Sequence, residues 1–138
     1  MQIRELNLKE LFTAYEVLSE LRTDISYDEF EDLIYDMRHM DYKMIGLFEN
    51  NELITYAGVA IQTNLYFKRH LFVFDFVTSK QFRTQGYGHK MLEYLEDYAR
   101  IGMCSNVVLS SAFAREQAHL FYESNGFDKK SYVFLKSI

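Results

Sequence analysis

The feature that most constrains this chain is a glycine-spaced turn between an apolar run and an amphipathic segment. The apolar run covers residues 71–77, and the turn reads Arg83-Thr84-Gln85-Gly86-Tyr87-Gly88. Apolar residues at helical spacing follow, so the pattern predicts a strand, a tight turn and a helix. A helix start leaves backbone N–H groups unpaired, and glycines let a phosphate approach the main chain. The turn therefore predicts a site for a nucleotide-like cofactor, with a plain tight turn as the alternative.

Two common phosphate-binding motifs do not fit this turn. A Walker loop needs Gly-Lys-Ser/Thr at its second glycine, whereas Gly88 is followed by His89 and Lys90, with no hydroxyl to hold magnesium. A dinucleotide fingerprint needs three glycines and an acidic residue at the end of the next strand. Here there are two glycines, and the next predicted strand ends in Ser110-Ser111. The sequence thus disfavours a kinase-like, ATPase or Rossmann site.

A second motif follows the first by about thirty residues. Residues 115–125 predict a short helix that ends at Gly126, and Phe127 begins a strand. Arg-x-x-Gly-x-Gly at a strand-to-helix turn, followed by Ala-His-x-Phe-Tyr-Glu-x-x-Gly-Phe, resembles the GNAT superfamily of N-acetyltransferases over the whole chain. Within it, residues 109–111, Arg115 and residues 118–122 are most similar to the aminoalkylphosphonate N-acetyltransferase branch.

The remaining sequence is compatible with such a fold. Its 138 residues, 49% of them hydrophobic, fit a single domain over residues 1–138. An N-terminal strand precedes two helices, the second opened by a capping box at Ser26 and Glu29. Further strands are predicted at residues 42–48, 53–61, 71–78, 106–109 and 132–136, the first two joined by a hairpin turn. The order β-α-α-β-β-β-α-β-α-β predicts an α/β fold with a mixed, largely antiparallel sheet flanked by helices, as in the acyl-CoA N-acyltransferase fold.

The resemblance implies acetyl-CoA (coenzyme A) as co-substrate and assigns residues to it. The sheet would splay beside the turn, and the thioester would lie in the gap against the main chain of Phe76, Val77 and Thr78. The pyrophosphate would bind the amides of Thr84, Gln85, Gly86, Tyr87, Gly88 and His89. Arg83, His89 and Lys90 would add positive charge, the last two being alternatively ordinary helix-surface charges. Arg115 stands where many relatives have an asparagine that touches the cofactor.

The chemistry requires a neutral amine and a stabilised leaving thiolate. Tyr122 matches the family's tyrosine before Gly-Phe and would protonate the sulfur, the alternative being a core aromatic. Phe72 occupies the position of the usual glutamate and cannot accept a proton. Asp75, in the same strand, is the best replacement base, ahead of His119, although strand alternation puts it on the opposite face from Phe72 unless a bulge intervenes. A structural aspartate is the alternative.

Charge and composition limit the partners. The net charge of −5 disfavours nucleic acid, since residues 68–70 form the only compact basic cluster. Membrane binding and a metal site are not predicted, and the missing signal peptide indicates a cytoplasmic protein. Acidic residues between Asp24 and Asp41 would attract a cationic amine or form a solvated face.

Three function classes follow from these observations. The first is acetylation of a small-molecule primary amine, and the second is acetylation of a protein or peptide amine. The third is a non-catalytic acyl-CoA-binding regulatory module, which the lost glutamate permits and Tyr122 argues against. A homodimer is compatible with each class.

Overall fold

A five-stranded sheet frames the fold of this chain. The computed structural model describes residues 1–138, and the chain forms two units, residues 1–108 and residues 109–138. The strands, in both chain and sheet order, are β1 (Gln2–Glu5), β2 (Lys43–Glu49), β3 (Glu52–Asn64), β4 (Lys68–Thr78) and β5 (Asn106–Leu109). Strands β1 to β4 pair antiparallel, which confirms the predicted mixed α/β fold with a largely antiparallel sheet.

Four α-helices accompany the sheet, namely α1 (Leu11–Leu18), α2 (Tyr27–Met37), α3 (Tyr87–Ile101) and α4 (Glu116–Ser124). Ser26 caps α2 as predicted, because its hydroxyl accepts a 3.1 Å hydrogen bond from the Glu29 amide. None of the helices is long and apolar enough to cross a membrane.

Helices cover both faces of the sheet. The core that α1 and α2 share with the sheet includes Met44, Phe48 and Tyr56. Side chains alternate along a strand, so Ile45 and Ile61 lie on the opposite face. Gly102, at the end of α3, lies against Ile61 there. Apolar residues on both faces of β2 and β3 are thereby buried.

The hairpin turn predicted from sequence is confirmed, and β4 contains the bulge on which the position of Asp75 depends. Asn50 and Asn51 both have left-handed φ values, 50° and 64°, in the two-residue turn between β2 and β3. In β4, Gly58 pairs with Asp75 and Val59 with Val73, so Phe74 is the extra residue of a bulge. Because of this extra residue, Asp75 shares a face with Phe72.

The predicted closing strand at residues 132–136 is wrong. Residues from Asn125 to the end belong to no helix or strand. A strand needs a hydrogen-bonded neighbour, and the apolar pattern that predicts one shows only that its side chains need cover. Tyr132, Phe134 and Leu135 are instead 73%, 92% and 87% exposed.

Candidate active site

The glycine-spaced turn leaves the start of α3 open. Thr84 and Gly86 both have left-handed φ values, 62° and 87°, and Gly86 is the residue that precedes the helix. Neither a capping side chain nor an acidic residue in the first turn serves α3, whereas α2 has both. A Cβ added at Gly86 would meet no heavy atom within 4 Å. These uncapped amides carry the positive end of the helix dipole, and such a position suits an anionic group.

Arg83 is tied to the end of β4. Its Nε donates to the Thr78 carbonyl at 2.9 Å, and its guanidinium lies 3.7 Å from a carboxylate oxygen of Glu20. Glu20 also accepts hydrogen bonds from the Lys80 amide at 2.8 Å and the Ser79 hydroxyl at 3.1 Å. Glu20 therefore holds the turn in place, a role that the sequence did not reveal because its partners lie about sixty residues away.

The residues after Gly86 have partners of their own. The Tyr87 hydroxyl donates to Glu49 Oε2 at 3.2 Å, and desolvation followed by this bond raises the pKa of Tyr87. His89 Nε2 lies 3.0 Å from Glu93 Oε1 on the surface of α3, where both side chains are mostly exposed. The side chain of His89 thus fits the helix-surface alternative, while its backbone amide belongs to the first turn of α3.

β5 meets β4 near the start of β4. The Ser105 amide, just before β5, donates to the Arg69 carbonyl near the start of β4. β5 has four residues and β4 has eleven, so β5 is much the shorter of the two strands. The residues that the sequence assigns to the pantetheine, Phe76, Val77 and Thr78, thus form the last three residues of β4.

Asp75 lies at the bulge with both carboxylate oxygens bonded. Arg22 Nε donates to Oδ1 at 2.9 Å, and the Tyr42 hydroxyl donates to Oδ2 at 2.7 Å. Arg22 also donates to the Phe74 carbonyl at 2.8 Å. The Arg22 side chain is 50% exposed and that of Asp75 13% exposed. The Asp75 carboxylate and the Phe74 carbonyl at the bulge thus bind a cation, the Arg22 guanidinium.

A buried pair of hydrogen-bonded tyrosines, Tyr42 and Tyr56, lies next to Asp75. The hydroxyls of Tyr42 and Tyr56 lie 2.8 Å apart. Burial, together with the neighbouring phenol and carboxylate, raises the pKa of Tyr42, and burial is the main cause of a raised pKa at Tyr56. Gly58 makes the arrangement possible, because a Cβ there would collide with the Tyr42 ring. Sequence reasoning missed this cluster and Arg22, since no local pattern connects residues so far apart.

The C-terminal unit carries Arg115, His119 and Tyr122. Tyr122 is 7% exposed, and its ring lies 5.7 Å from that of Phe121 and 5.6 Å from that of Phe127. Arg115 directly precedes α4, and its amide donates to the Ala112 carbonyl. His119 Nε2 lies 2.9 Å from that same carbonyl.

The acidic residues predicted to attract an amine lie mostly on the surface. Of the seven acidic residues from Asp24 to Asp41, six are exposed and only Glu31 is partly buried. A different set of carboxylates, those of Glu16, Glu20 and Glu52, lines an open cleft of about 460 Å³ beside the end of β4. The basic cluster at residues 68–70 is used structurally, since His70 is 1% exposed and Arg69 Nε donates to the Gly102 carbonyl.

Comparison with known proteins gives a consistent result. The model of the acetyltransferase (GNAT) family matches residues 4–127. The uncharacterized N-acetyltransferase YhdJ of Bacillus subtilis (strain 168) is 31% identical over 141 residues, which cover 100% of this chain and 99% of YhdJ. The aminoglycoside N-acetyltransferase AAC(6')-Iy in complex with CoA superimposes with a TM-score of 0.86 at 13% identity, covering 99% of this chain and 93% of that one. For glucosamine-6-phosphate N-acetyltransferase from Arabidopsis thaliana the TM-score is 0.76 at 22% identity, covering 99% and 97%.

Proposed function

The chain belongs to the acetyltransferase (GNAT) family and is an N-acetyltransferase with acetyl-CoA as co-substrate, and we propose that it acetylates a primary amine of a small molecule. The observation that carries this proposal is the cation-binding place at the bulge. There the Asp75 carboxylate and the Phe74 carbonyl hold the Arg22 guanidinium. The same two acceptors suit an ammonium group. That group would bind there after the Arg22 side chain had moved out into solvent.

The proposed reaction is a direct attack of the amine on the thioester. Acetyl-CoA supplies the activated acetyl group, and a carbon–nitrogen bond forms as the carbon–sulfur bond breaks. Asp75 takes the proton that the ammonium must lose, while Tyr42 holds the carboxylate in orientation. Tyr122 gives a proton to the departing sulfur. The base and the acid are thus two different residues, and both are proposals.

The proposed cofactor contacts follow the geometry of the turn and of β4. The amides of residues 84–89 bind the pyrophosphate at the uncapped start of α3. Phe76, Val77 and Thr78 pair with the pantetheine, with the Thr78 carbonyl also engaged by Arg83. Arg83 keeps a positive charge next to the phosphates, and Arg115 contacts the cofactor from its place before α4.

The extent and assembly of the protein are also proposals. We propose that residues 1–138 form a single acetyltransferase domain. The family match over residues 4–127 supports this, because it spans both units. A homodimer fits the exposed apolar residues at the C-terminal end. A cytoplasmic location stays a prediction of the sequence.

The acceptor is tested by turnover. Purified protein and acetyl-CoA are mixed with a panel of amines, and released thiol is followed together with the mass of the acetylated product. The panel holds aminoalkylphosphonates, aminoglycosides, diamines, and peptides with free amino termini or lysines. Aminoalkylphosphonates are included because of the similarity of residues 109–111 and 118–122, and aminoglycosides because of the structural similarity to the aminoglycoside N-acetyltransferase AAC(6')-Iy. We expect acetylated product with at least one small amine.

The other classes give different results in the same assay. If only peptides are acetylated, the acceptor is a peptide or protein amine and the proposed small-molecule acceptor is wrong. Tight coenzyme A binding without product on any amine would favour a regulatory acyl-CoA-binding module. Gly86→Glu, which places a negative charge at the phosphate turn, supplies the background rate.

A further inference from the structure

Residues 79–82, here called the connector, link β4 to the glycine-spaced turn. The connector contains a single 3-10 turn, Lys80–Phe82, and the side chain of Ser79, which precedes that turn, does not cap it. The first amides of such a turn have no partner inside it. The Lys80 amide instead donates to Glu20 at 2.8 Å, and the Ser79 hydroxyl donates to the same carboxylate at 3.1 Å. A side chain distant in sequence thus takes the place of a local cap.

The two oxygens of Glu20 divide their donors. Oε2 accepts from the Ser79 hydroxyl, whereas Oε1 accepts from the Lys80 amide and lies 3.7 Å from the Arg83 guanidinium. On the other side, the Ser79 amide donates to the Ile54 carbonyl of β3 at 2.8 Å. The Glu20 side chain is 24% exposed and Ser79 is 6% exposed. The connector is therefore held between β3 and Glu20 before the chain reaches Gly86.

A carboxylate is an unfavourable neighbour for a phosphate site, because like charges repel. Glu20 lines the cleft at the end of β4 together with Glu16 and Glu52. If Glu20 acted on coenzyme A through its charge alone, it would weaken binding, as Glu16 would. Ordering the connector has the opposite effect, since a site that is already ordered loses less conformational entropy when the ligand binds. The two effects of Glu20 thus differ in sign and can be separated.

We propose that Glu20 is a positioning residue for coenzyme A. By holding Ser79, Lys80 and Arg83, it orders the connector so that the amides of residues 84–89 are aligned before the pyrophosphate arrives. This inference rests on the proposed binding of the pyrophosphate to those amides. Glu20 acts through the connector and leaves the reacting atoms alone, so it sets the affinity for the cofactor and has no part in the chemical step.

The first test compares two carboxylates of the same cleft. Glu20→Ala and Glu16→Ala each remove one negative charge, but the Glu16 carboxylate holds none of the connector's donors. Calorimetry with coenzyme A should show a loss of about tenfold or more for Glu20→Ala, which is about 1.4 kcal/mol. Glu16→Ala should bind unchanged or slightly more tightly. Tighter or unchanged binding by Glu20→Ala would overturn the proposal.

Kinetics and hydrogen exchange separate positioning from a general loss of structure. For Glu20→Ala, KM for acetyl-CoA should rise while kcat at saturation stays unchanged. Without cofactor, the amides of residues 80–90 should exchange faster than in the unaltered protein, and those of α2 should not. Glu20→Gln keeps one acceptor oxygen, so it should lie between the two and replaces Glu20→Ala if that variant does not fold. A lower kcat with unchanged affinity would overturn the proposal.

A proline offers an independent rescue. Lys80 is the first residue of the 3-10 turn, a position that favours proline, whose fixed φ of about −65° suits such a turn. Ser79 has a ψ of 139°, as the residue before a proline prefers. Proline at 80 therefore keeps the path of the connector without the N–H that Glu20 binds. Glu20→Ala with Lys80→Pro should bind coenzyme A several-fold more tightly than Glu20→Ala with Lys80→Ala, which lacks the same lysine charge.

Equal affinities of these two double variants would overturn the role of the Lys80 amide in the proposal. Gly86→Glu distinguishes the positioning from the phosphate site itself. If Gly86→Glu binds coenzyme A normally, the proposed phosphate site is wrong and this inference fails with it. If Gly86→Glu loses affinity and a folded Glu20→Ala does not, the phosphate site stands and only the positioning role is wrong.

Discussion

Tyr42 donates a 2.7 Å hydrogen bond to Oδ2 of Asp75, and this bond joins a buried phenol to the only carboxylate at the bulge of β4. The extra residue Phe74 turns Asp75 toward the face where Tyr42 lies. Arg22 holds the other oxygen from the solvent side. Asp75 is therefore held by one side chain on each oxygen, and in the proposed mechanism an amine would reach it after the half-exposed Arg22 side chain moves away.

The first prediction concerns alkaline stability. Burial raises the pKa of both Tyr42 and Tyr56 above the ordinary value of about 10. A pKa raised in the folded state contributes stability that is complete below the unfolded pKa and is lost as the pH rises above it. We expect the free energy of unfolding to fall above about pH 10. Tyr56→Phe should make this fall shallower, at a cost of about 1 kcal/mol near neutral pH for the lost hydrogen bond.

Urea unfolding from neutral pH to pH 11 measures this difference. Tyr66→Phe, which changes a tyrosine that is 65% exposed, is the control and should keep the slope of the unaltered protein. Equal slopes for Tyr56→Phe and the unaltered protein would show that the buried phenols do not control alkaline unfolding.

The second prediction concerns coenzyme A binding. Gly86→Glu places bulk and a negative charge at the start of α3, so affinity should fall by more than tenfold, which is about 1.4 kcal/mol or more. Calorimetry measures the affinity. Gly126→Glu is a matched control, because Gly126 has a φ of 89° against 87° for Gly86, and a Cβ at either meets open space. Both variants carry the same backbone strain, but only the first should weaken binding.

Gly86→Ala separates strain from charge in the same experiment. It keeps the left-handed conformation under strain without the carboxylate, and its loss of affinity should be clearly smaller. Unchanged binding by a folded Gly86→Glu would place the phosphate site elsewhere.

The third prediction concerns Tyr122. Tyr122→Phe removes a hydroxyl and almost no volume, so coenzyme A affinity should persist while the maximal rate falls about a hundredfold or more. Pre-steady-state kinetics must first show that chemistry limits turnover. Tyr94→Phe, on the partly buried side of α3, is the control and should leave the rate unchanged. An unchanged rate in Tyr122→Phe would assign the residue to the aromatic cluster with Phe121 and Phe127 alone.

The parts of the structure that the sequence predicted are those specified by near neighbours. Ser26 caps α2 through an amide three residues away, and Asn50-Asn51 sets the hairpin by its own backbone preference. The glycine turn before α3 belongs to the same class. Each of these depends on residues within one turn of chain, so a local pattern suffices.

The parts that the sequence missed depend on contacts between distant residues. Glu20 meets Ser79 and Lys80 across about sixty residues, and Arg22 meets Asp75 across 53. Neither pairing can be recognised from spacing or composition, because many other acidic and basic surface residues have the same local sequence features. The wrong strand at residues 132–136 has a related cause: an apolar pattern indicates that side chains need cover, but it does not identify the partner strand that would provide it.

The last prediction concerns the base. Asp75→Asn keeps the size of the side chain but cannot take a proton, so kcat/KM should fall most at acidic to neutral pH, where the acceptor amine is most fully protonated. At high pH the amine is already neutral, and the loss should shrink. The measurement is the pH profile of kcat/KM for both proteins with their melting temperatures. Arg22→Ala is the companion variant: it removes the competing cation and should lower KM for a cationic amine without the same pH-dependent loss. Parallel profiles with a lower melting temperature for Asp75→Asn would make Asp75 a structural residue that anchors Tyr42 and Arg22, because a purely structural loss does not depend on whether the acceptor amine is protonated.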